Sequence, residues 1–325
     1  MPHIGRVVRA AFAVWALALA GCAELGVITD GTSVSYGRPS NGLLLDGIRM
    51  PDKGEGFTTR EVWRRRGNRY GTDELVTMVT GVASRLHAKI QDVRMVIADL
   101  SEFGGGAAHD FHKSHQSGRD IDILFFMRDA EGNPFEADAM RVFDRNGKAR
   151  DKSGITVDVP RTWMLVKELV DAPEATVQFV FMYEPISQLL LEHAKQIGEP
   201  EAVIARARRA LKQPGDSARH DDHMHIRIYC DVEDRQFGCL DSGPMDLFVE
   251  REAERKKTMQ AVAESLPRTE PLTTAERASI LWEQNPTPAA APTTTAATTT
   301  TEASHVTFSS LLRARADRID LRGWR

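Results

Sequence analysis

Six of the ten histidines in this 325-residue chain fall into two short clusters, His109, His112 and His115, then His220, His223 and His225. The second cluster reads His220-Asp221-Asp222-His223-Met224-His225-Ile226-Arg227-Ile228-Tyr229-Cys230. From His223 onward polar and apolar residues alternate, the period of a strand with one buried face. That period puts His223, His225, Arg227 and Tyr229 on one side and Met224, Ile226 and Ile228 toward a core. Two imidazoles on a strand point the same way from a rigid mount, which metal geometry needs. The first cluster leads from His112 and His115 through a loop containing Gly118 into the apolar stretch Ile121-Asp122-Ile123-Leu124-Phe125. A carboxylate inside such a stretch is costly unless it is paired or holds a cation. Asp120 lies two residues before Asp122 and shares its face, so spacing alone leaves both aspartates as ligand candidates.

Imidazole and carboxylate are borderline donors suited to zinc. A catalytic zinc takes three protein ligands and keeps one position for water, which becomes a nucleophile near neutral pH. A spare histidine beside it serves as general base or transition-state donor. The two clusters therefore predict a hydrolytic metal site.

The segment Ser114-His115-Gln116-Ser117-Gly118-Arg119-Asp120-Ile121-Asp122 resembles the first motif of the penicillin-insensitive murein endopeptidases, and His220-Asp221-Asp222-His223-Met224-His225 resembles their second. These enzymes belong to a wider group of zinc D-alanyl peptidases that includes lysostaphin-like and D-Ala-D-Ala carboxypeptidase members. The group signature is His, six residues, Asp, then a distant His-x-His. The resemblance covers roughly residues 33–245 and includes Ser35-Tyr36-Gly37, Asn41-Gly42 and Ala98-Asp99-Leu100-Ser101. It implies Zn2+ held by His115, Asp122 and His225, which chooses Asp122 over Asp120. It implies His220 and His223 as the catalytic or transition-state-stabilising pair. It also points to His112 as a ligand of a second metal, with Asp158 considered beside it. The stretch Pro214–Arg219 lacks the aromatic residues expected before the second motif. The activity implied is hydrolysis of D-alanyl peptide cross-links in peptidoglycan. Two other readings are D,D- or L,D-carboxypeptidase action on uncross-linked stems and an inactive wall-binding lipoprotein.

The elements that must position these residues are legible in part. Thr72 caps a helix whose apolar positions Leu75, Val76, Val79, Val82, Ala83, Leu86 and Ile90 recur at helical spacing. Val93–Leu100, Ile121–Met127, Val177–Met182 and His223–Tyr229 read as strands. Thr162–Val170, Pro185–Ile197, Pro200–Leu211 and Glu250–Ser265 read as helices, and Gly104-Gly105-Gly106 breaks the chain. The elements mix without a regular alternating repeat, so the fold class is α+β. A central antiparallel sheet with flanking helices, of the D-Ala-D-Ala peptidase-like zinc metallopeptidase type, is what the family resemblance implies.

The chain as a whole is 42% apolar and 27% charged with a net charge of −4, a globular balance that gives no nucleic-acid footprint. Arg6 and Arg9 precede a short apolar run ending Leu19-Ala20-Gly21-Cys22, which reads as a secretory signal over residues 1–21. The tetrapeptide resembles a bacterial lipobox. That implies cleavage before Cys22, lipidation of its thiol, a tether over 22–32 and a membrane anchor. The absence of Asp directly after Cys22 favours the outer membrane, with the protein facing the periplasm and peptidoglycan as its partner. In an exported protein Cys230 and Cys239 are expected to form a disulfide closing a short loop, and the family has such a loop there. The zinc domain is expected over residues 33–265. Residues 266–304, rich in Pro, Thr and Ala, read as a disordered linker, and 305–325 as a basic tail.

Overall fold

The computed structural model describes residues 31, 33–107, 112–215 and 218–265. The signal segment, Cys22 and its tether to residue 30, His109, the Pro/Thr/Ala linker and the C-terminal tail lie outside the described residues.

The chain begins with an antiparallel hairpin, β1 (Val34–Arg38) and β2 (Asn41–Leu45). Short strands β3 (Ile48–Arg49), β4 (Lys53–Gly54) and β5 (Phe57–Thr58) follow, then α1 (Glu61–Arg66) and β6 (Tyr70–Gly71). Helix α2 (Asp73–His87) starts where the sequence predicts: the Thr72 side chain accepts from the Leu75 N–H, and the apolar face from Leu75 to Leu86 is buried. Such a cap contributes about 1 kcal/mol.

Next come β7 (Met95–Val96), β8 (Asp120–Ile123), β9 (Met127–Arg128), β10 (Pro134–Phe135), β11 (Thr156–Val157) and α3 (Val159–Val170). The expected strand over Val93–Leu100 pairs as a regular ladder only at Met95–Val96. The chain stays buried and extended beyond it, but its N–H groups go to different partners in turn: Ile97 to Thr58 O, Ala98 to Asp122 O and Leu100 to Asn68 O. The strand expected over Ile121–Met127 likewise divides into β8 and β9: the regular ladder ends at Ile123, and the Leu124 N–H donates to Val96 O.

The last part holds β12 (Val177–Phe181), α4 (Glu184–Gln196), α5 (Glu201–Ala210), β13 (Leu211–Lys212), β14 (Met224–Ile228), α6 (Val232–Gln236) and α7 (Asp246–Ser265). The largest sheet among the described residues has the order β13-β12-β14-β8. β8, β14 and β12 are antiparallel, as expected, while the edge strand β13 runs parallel to β12. Several two- and three-stranded sheets accompany it. The architecture is α+β.

Register decides what the sheet presents. Asp122 lies opposite His225 and Asp120 opposite Arg227, while Phe181 and Phe179 lie opposite His225 and Arg227 on the other side of β14. Residues directly opposite in an antiparallel pair share a face. One face is thus a two-row array, Asp122-His225-Phe181 and Asp120-Arg227-Phe179. The other face, with Ile121, Ile123, Met224, Ile226 and Val180, is fully buried in the core that α3 and α5 help to cover. Each such side chain contributes about 1.5–3 kcal/mol by leaving water.

The Cys230–Cys239 disulfide forms as expected. Its loop sits against β1, with Gly37 N–H donating to Gly238 O and Leu240 N–H to Gly37 O. Arg119, fully buried just before β8, ties the parts together. Its guanidinium donates to Ser35 Oγ (3.0 Å), Asp241 Oδ1 (2.9 Å) and the carbonyls of Ile228 and Leu240.

Candidate metal centre

The loop before β8 carries His115 in the left-handed region, at φ 69°. A non-glycine residue there costs of order 1–3 kcal/mol and persists only where its surroundings hold it. Here the His115 N–H donates to Asp120 Oδ2 at 3.0 Å, Gln116 N–H to Pro39 O and Gly118 N–H to Ser101 Oγ. Gly118 itself has φ 75°, and a Cβ there would lie 2.5 Å from the Leu44 side chain, so only glycine fits without rearrangement. His220 is the second left-handed histidine, at φ 54°. Its carbonyl is fixed by the Tyr183 N–H, and its neighbour Asp221 accepts from the Phe143 N–H.

These loops and the sheet face bring three donor atoms into a small triangle. His115 Nε2 lies 3.4 Å from Asp122 Oδ1, His225 Nδ1 lies 3.1 Å from the same oxygen, and the two nitrogens face each other at 3.1 Å. Tetrahedral zinc with bonds of about 2.0–2.1 Å needs ligand atoms about 3.3 Å apart. The residues are 1%, 0% and 5% exposed. Both Asp122 oxygens, His115 Nδ1 and His225 Nε2 lack hydrogen-bond partners. Buried polar groups are rarely left this way, so the unpartnered carboxylate and the donor spacing both fit a divalent cation.

Asp120 shares the face, as the strand period predicts, but its oxygens are taken. Arg227 donates to both, from Nε at 2.7 Å and Nη2 at 2.9 Å. Asp120 Oδ2 also accepts from the His115 N–H and lies 3.5 Å from His225 Nε2. Burial alone would raise the Asp120 pKa, but Arg227 and His225 hold it well below the usual carboxylate range. Asp122 is likewise held low, against burial, by His115 and His223.

His112 stands on the far side of Asp122. Its Nδ1 is 3.9 Å from Asp122 Oδ2, and its Nε2 is 3.2 Å from Asp99 Oδ2. His112, His115 and Asp122 each offer a ligand atom within 4.8 Å of the others. Asp99 is fully buried and paired with Arg66 at 2.6 Å, while its Oδ1 lacks a partner. Asp158 does not join this group: it caps α3 through the Arg161 N–H and pairs with Arg161 and Arg128.

His220 and His223 complete the cluster, their ring centroids 5.0 Å apart. The His220 Nδ1–H donates to Ala218 O at 2.8 Å, which leaves Nε2 as the acceptor. Burial, then the neighbouring His225 and His223, lower its pKa to about 4. His223 Nδ1–H donates to Asp222 Oδ1 at 2.7 Å, and its Nε2 lies 3.4 Å from Asp122 Oδ1. Burial opposes its charge, but Asp122 and Asp222 outweigh that and raise its pKa to about 10. That proton belongs to the cation-free site, because a divalent ion on Asp122 competes with it.

His112, His115, Asp120, Asp122, His220, His223 and His225 therefore come together, and Asp158 does not join them. Sequence reasoning missed Arg227 as the partner of Asp120, Arg66 beside Asp99, and Phe181, whose ring is 5.5 Å from that of His225. The alternation of β14 could have flagged Arg227; nothing local to the sequence marks Arg66.

Residues 35–287 match the family described as penicillin-insensitive murein endopeptidase. Proteins of that name align with this chain at modest identity. The Haemophilus influenzae protein is 27% identical over 210 residues, covering 63% of this chain and 66% of that protein. A Klebsiella pneumoniae protein is 24% identical over 220 residues (66% and 72%), and one from Escherichia coli O157:H7 is 25% identical over 209 residues (62% and 69%). The shared part thus spans about two thirds of these relatives' length.

Proposed function

The chain belongs to the penicillin-insensitive murein endopeptidase family, and from that premise we propose that it is a zinc-dependent hydrolase of D-alanyl peptide cross-links in peptidoglycan. The observation that carries the reading is the buried triangle of His115 Nε2, Asp122 Oδ1 and His225 Nδ1, with edges of 3.1–3.4 Å and an otherwise unpartnered carboxylate. These three residues would hold the ion. Zinc in such a site supplies Lewis acidity and lowers the pKa of water.

The remaining residues handle protons and position. His220, kept neutral with Nδ1–H on Ala218 O, offers Nε2 as the base that accepts a proton from the attacking water. His223, with Nδ1–H on Asp222, presents Nε2 on the other side and, as the imidazolium that Asp222 favours, would donate from it to the oxyanion that develops on the scissile carbonyl. The two imidazoles are anchored differently, one on a backbone carbonyl and one on a carboxylate, which suits opposed roles. Asp120 orients His225 and His115. His112, braced by Asp99, is the position for a second metal ligand. The N-terminal segment supports export and anchoring through Cys22 at the outer membrane, facing the periplasm.

The test is digestion of purified cross-linked sacculi. Zinc-loaded protein should convert dimeric muropeptides to monomers, a chelator should stop it, and β-lactams should not, since the proposed chemistry uses no serine nucleophile. Dimers that persist with zinc-loaded protein sink the proposal; shortening of monomers without loss of dimers points to a carboxypeptidase instead.

A further inference from the structure

The metal face of the sheet does not end at the histidines. Phe181 lies opposite His225 and Phe179 opposite Arg227, so both project from the same side as the candidate ligands. Their ring centroids are 4.9 Å apart, and both are only partly buried. Large aromatic rings left half open beside a buried polar centre form a surface for a chain to lie along.

The rings are flanked by cations. The Arg227 guanidinium sits 5.3 Å from the Phe181 centroid but is engaged with Asp120. Lys212 is different. It lies opposite Phe181 on the edge strand β13, is exposed, and holds Nζ 5.7 Å from the Phe179 centroid. No carboxylate among the described residues pairs with it. Past Phe179 the surface opens into a cleft of about 190 Å³ lined by Phe179, Arg208, Arg209, Lys212, Pro244 and Leu247. Arg209 is held by Asp246 and Glu250, and Arg208 faces Glu201 at 3.7 Å. Lys212 is thus the cation left to answer an incoming anion.

We propose that Phe181, Phe179 and Lys212 form a substrate subsite that takes an extended peptide and pairs a carboxylate on it with the Lys212 ammonium. The subsite rests on the peptidase reading for the identity of the peptide. The aromatic track suits small apolar side chains, and its line along β12 suits an extended backbone. From the His225 ring to Nζ, the steps between neighbouring rings are each about 5–6 Å. At about 3.3 Å per residue, the recognised carboxylate falls within about five residues of the bond at the metal centre.

The test uses the full-length, zinc-loaded protein and fluorescent alanyl peptides whose D-alanyl bond is replaced by an uncleavable reduced-amide link. One Glu or Gln is placed in turn at each position up to five residues from that link, and binding is read by fluorescence anisotropy. At one position the Glu peptide should bind about two- to fivefold more tightly than the Gln peptide, the scale of one exposed ion pair. Lys212→Met should abolish that preference with zinc content unchanged, and Lys212→Glu should turn it toward a Lys-bearing peptide. No preference at any position, or a preference that survives Lys212→Met, overturns the subsite. Turnover of sacculi is scored separately. A Lys212-dependent preference without hydrolysis leaves the subsite standing and removes the endopeptidase reading; hydrolysis without the preference does the reverse.

Discussion

Asp120→Asn separates support of the metal from ligation of it. Asp120 is fully buried, accepts two hydrogen bonds from Arg227 at 2.7 and 2.9 Å, receives the His115 N–H at 3.0 Å and stands 3.5 Å from His225 Nε2. Asparagine keeps one carbonyl oxygen, so the His115 loop can retain its acceptor. The negative charge 3.5 Å from His225 Nε2 is lost. Losing such an outer partner weakens metal binding about 10- to 100-fold, or about 1.4–2.7 kcal/mol. The zinc-free protein also loses stability, because Arg227 is left facing a neutral group. Breaking a buried pair costs about 3–5 kcal/mol. The lower end applies here, since Arg227 is 16% exposed and rests over Phe181. Zinc affinity is measured by competition with a chromophoric chelator, and stability by urea unfolding of the zinc-free protein. Unchanged affinity refutes the orienting role. A loss as complete as that from Asp122→Asn refutes the assignment in the other direction, because Asp120 would then be a ligand.

His225→Ala and Asp122→Asn should each reduce bound zinc from one equivalent at the His115 centre to none, measured by elemental analysis after dialysis. Away from the site, burial and the adjacent Asp73 raise Glu74 to about 7, while burial and then Asp231 and Asp73 raise Asp234 to about 6. Folded pKa values above the unfolded ones mean that this stabilisation is complete below about pH 4 and is lost as pH rises through 6–7. Urea midpoints of the zinc-free protein should therefore gain from Glu74→Gln at pH 8 and not at pH 4; an equal gain at both refutes the charge argument. Replacing Cys230 and Cys239 by serine opens a loop with a sequence separation of 9 and should cost about 2–3 kcal/mol in urea unfolding, from the chain entropy regained by the unfolded state.

What the sequence made legible was local. The helix after Thr72 and the alternation in β14 are short-range periods set by one buried face each, and the structure keeps both. The stretch Val93–Leu100 shows where this stops. All its residues but Arg94 are buried, so composition reads it as one strand. Its hydrogen bonds are shared among Gly56, Thr58, Asn68 and Asp122, which are far apart in sequence. The parallel edge strand β13 escaped notice because two residues carry no period. Histidine clusters were visible because six of the ten histidines fall into two short stretches, whereas Arg66 looks in sequence like an ordinary surface charge and the partners of Arg119 and Arg227 lie far away in the chain.

The two aspartates of β8 show why residue type alone could not decide their roles. Asp120 and Asp122 share a strand, a face and complete burial. They differ in what β14 sets opposite each of them. Across from Asp120 is Arg227, which fills both carboxylate oxygens with fixed donors. Across from Asp122 is His225, flanked by His115 and His223, and none of these fills either oxygen with a hydrogen bond. A carboxylate already paired with a guanidinium has few lone pairs left for an ion, while an unpaired one in a dry, nitrogen-lined pocket is destabilised until a cation arrives. The same alternation that puts an imidazole and a guanidinium two residues apart on β14 therefore makes one aspartate a candidate ligand and the other its brace. Shifting β14 by two residues against β8 would set either His225 or Tyr229 opposite Asp120 and take Arg227 away from it, so the proposed chemistry depends on the register that the Ile121, Ile123, Met224 and Ile226 face locks from the core side.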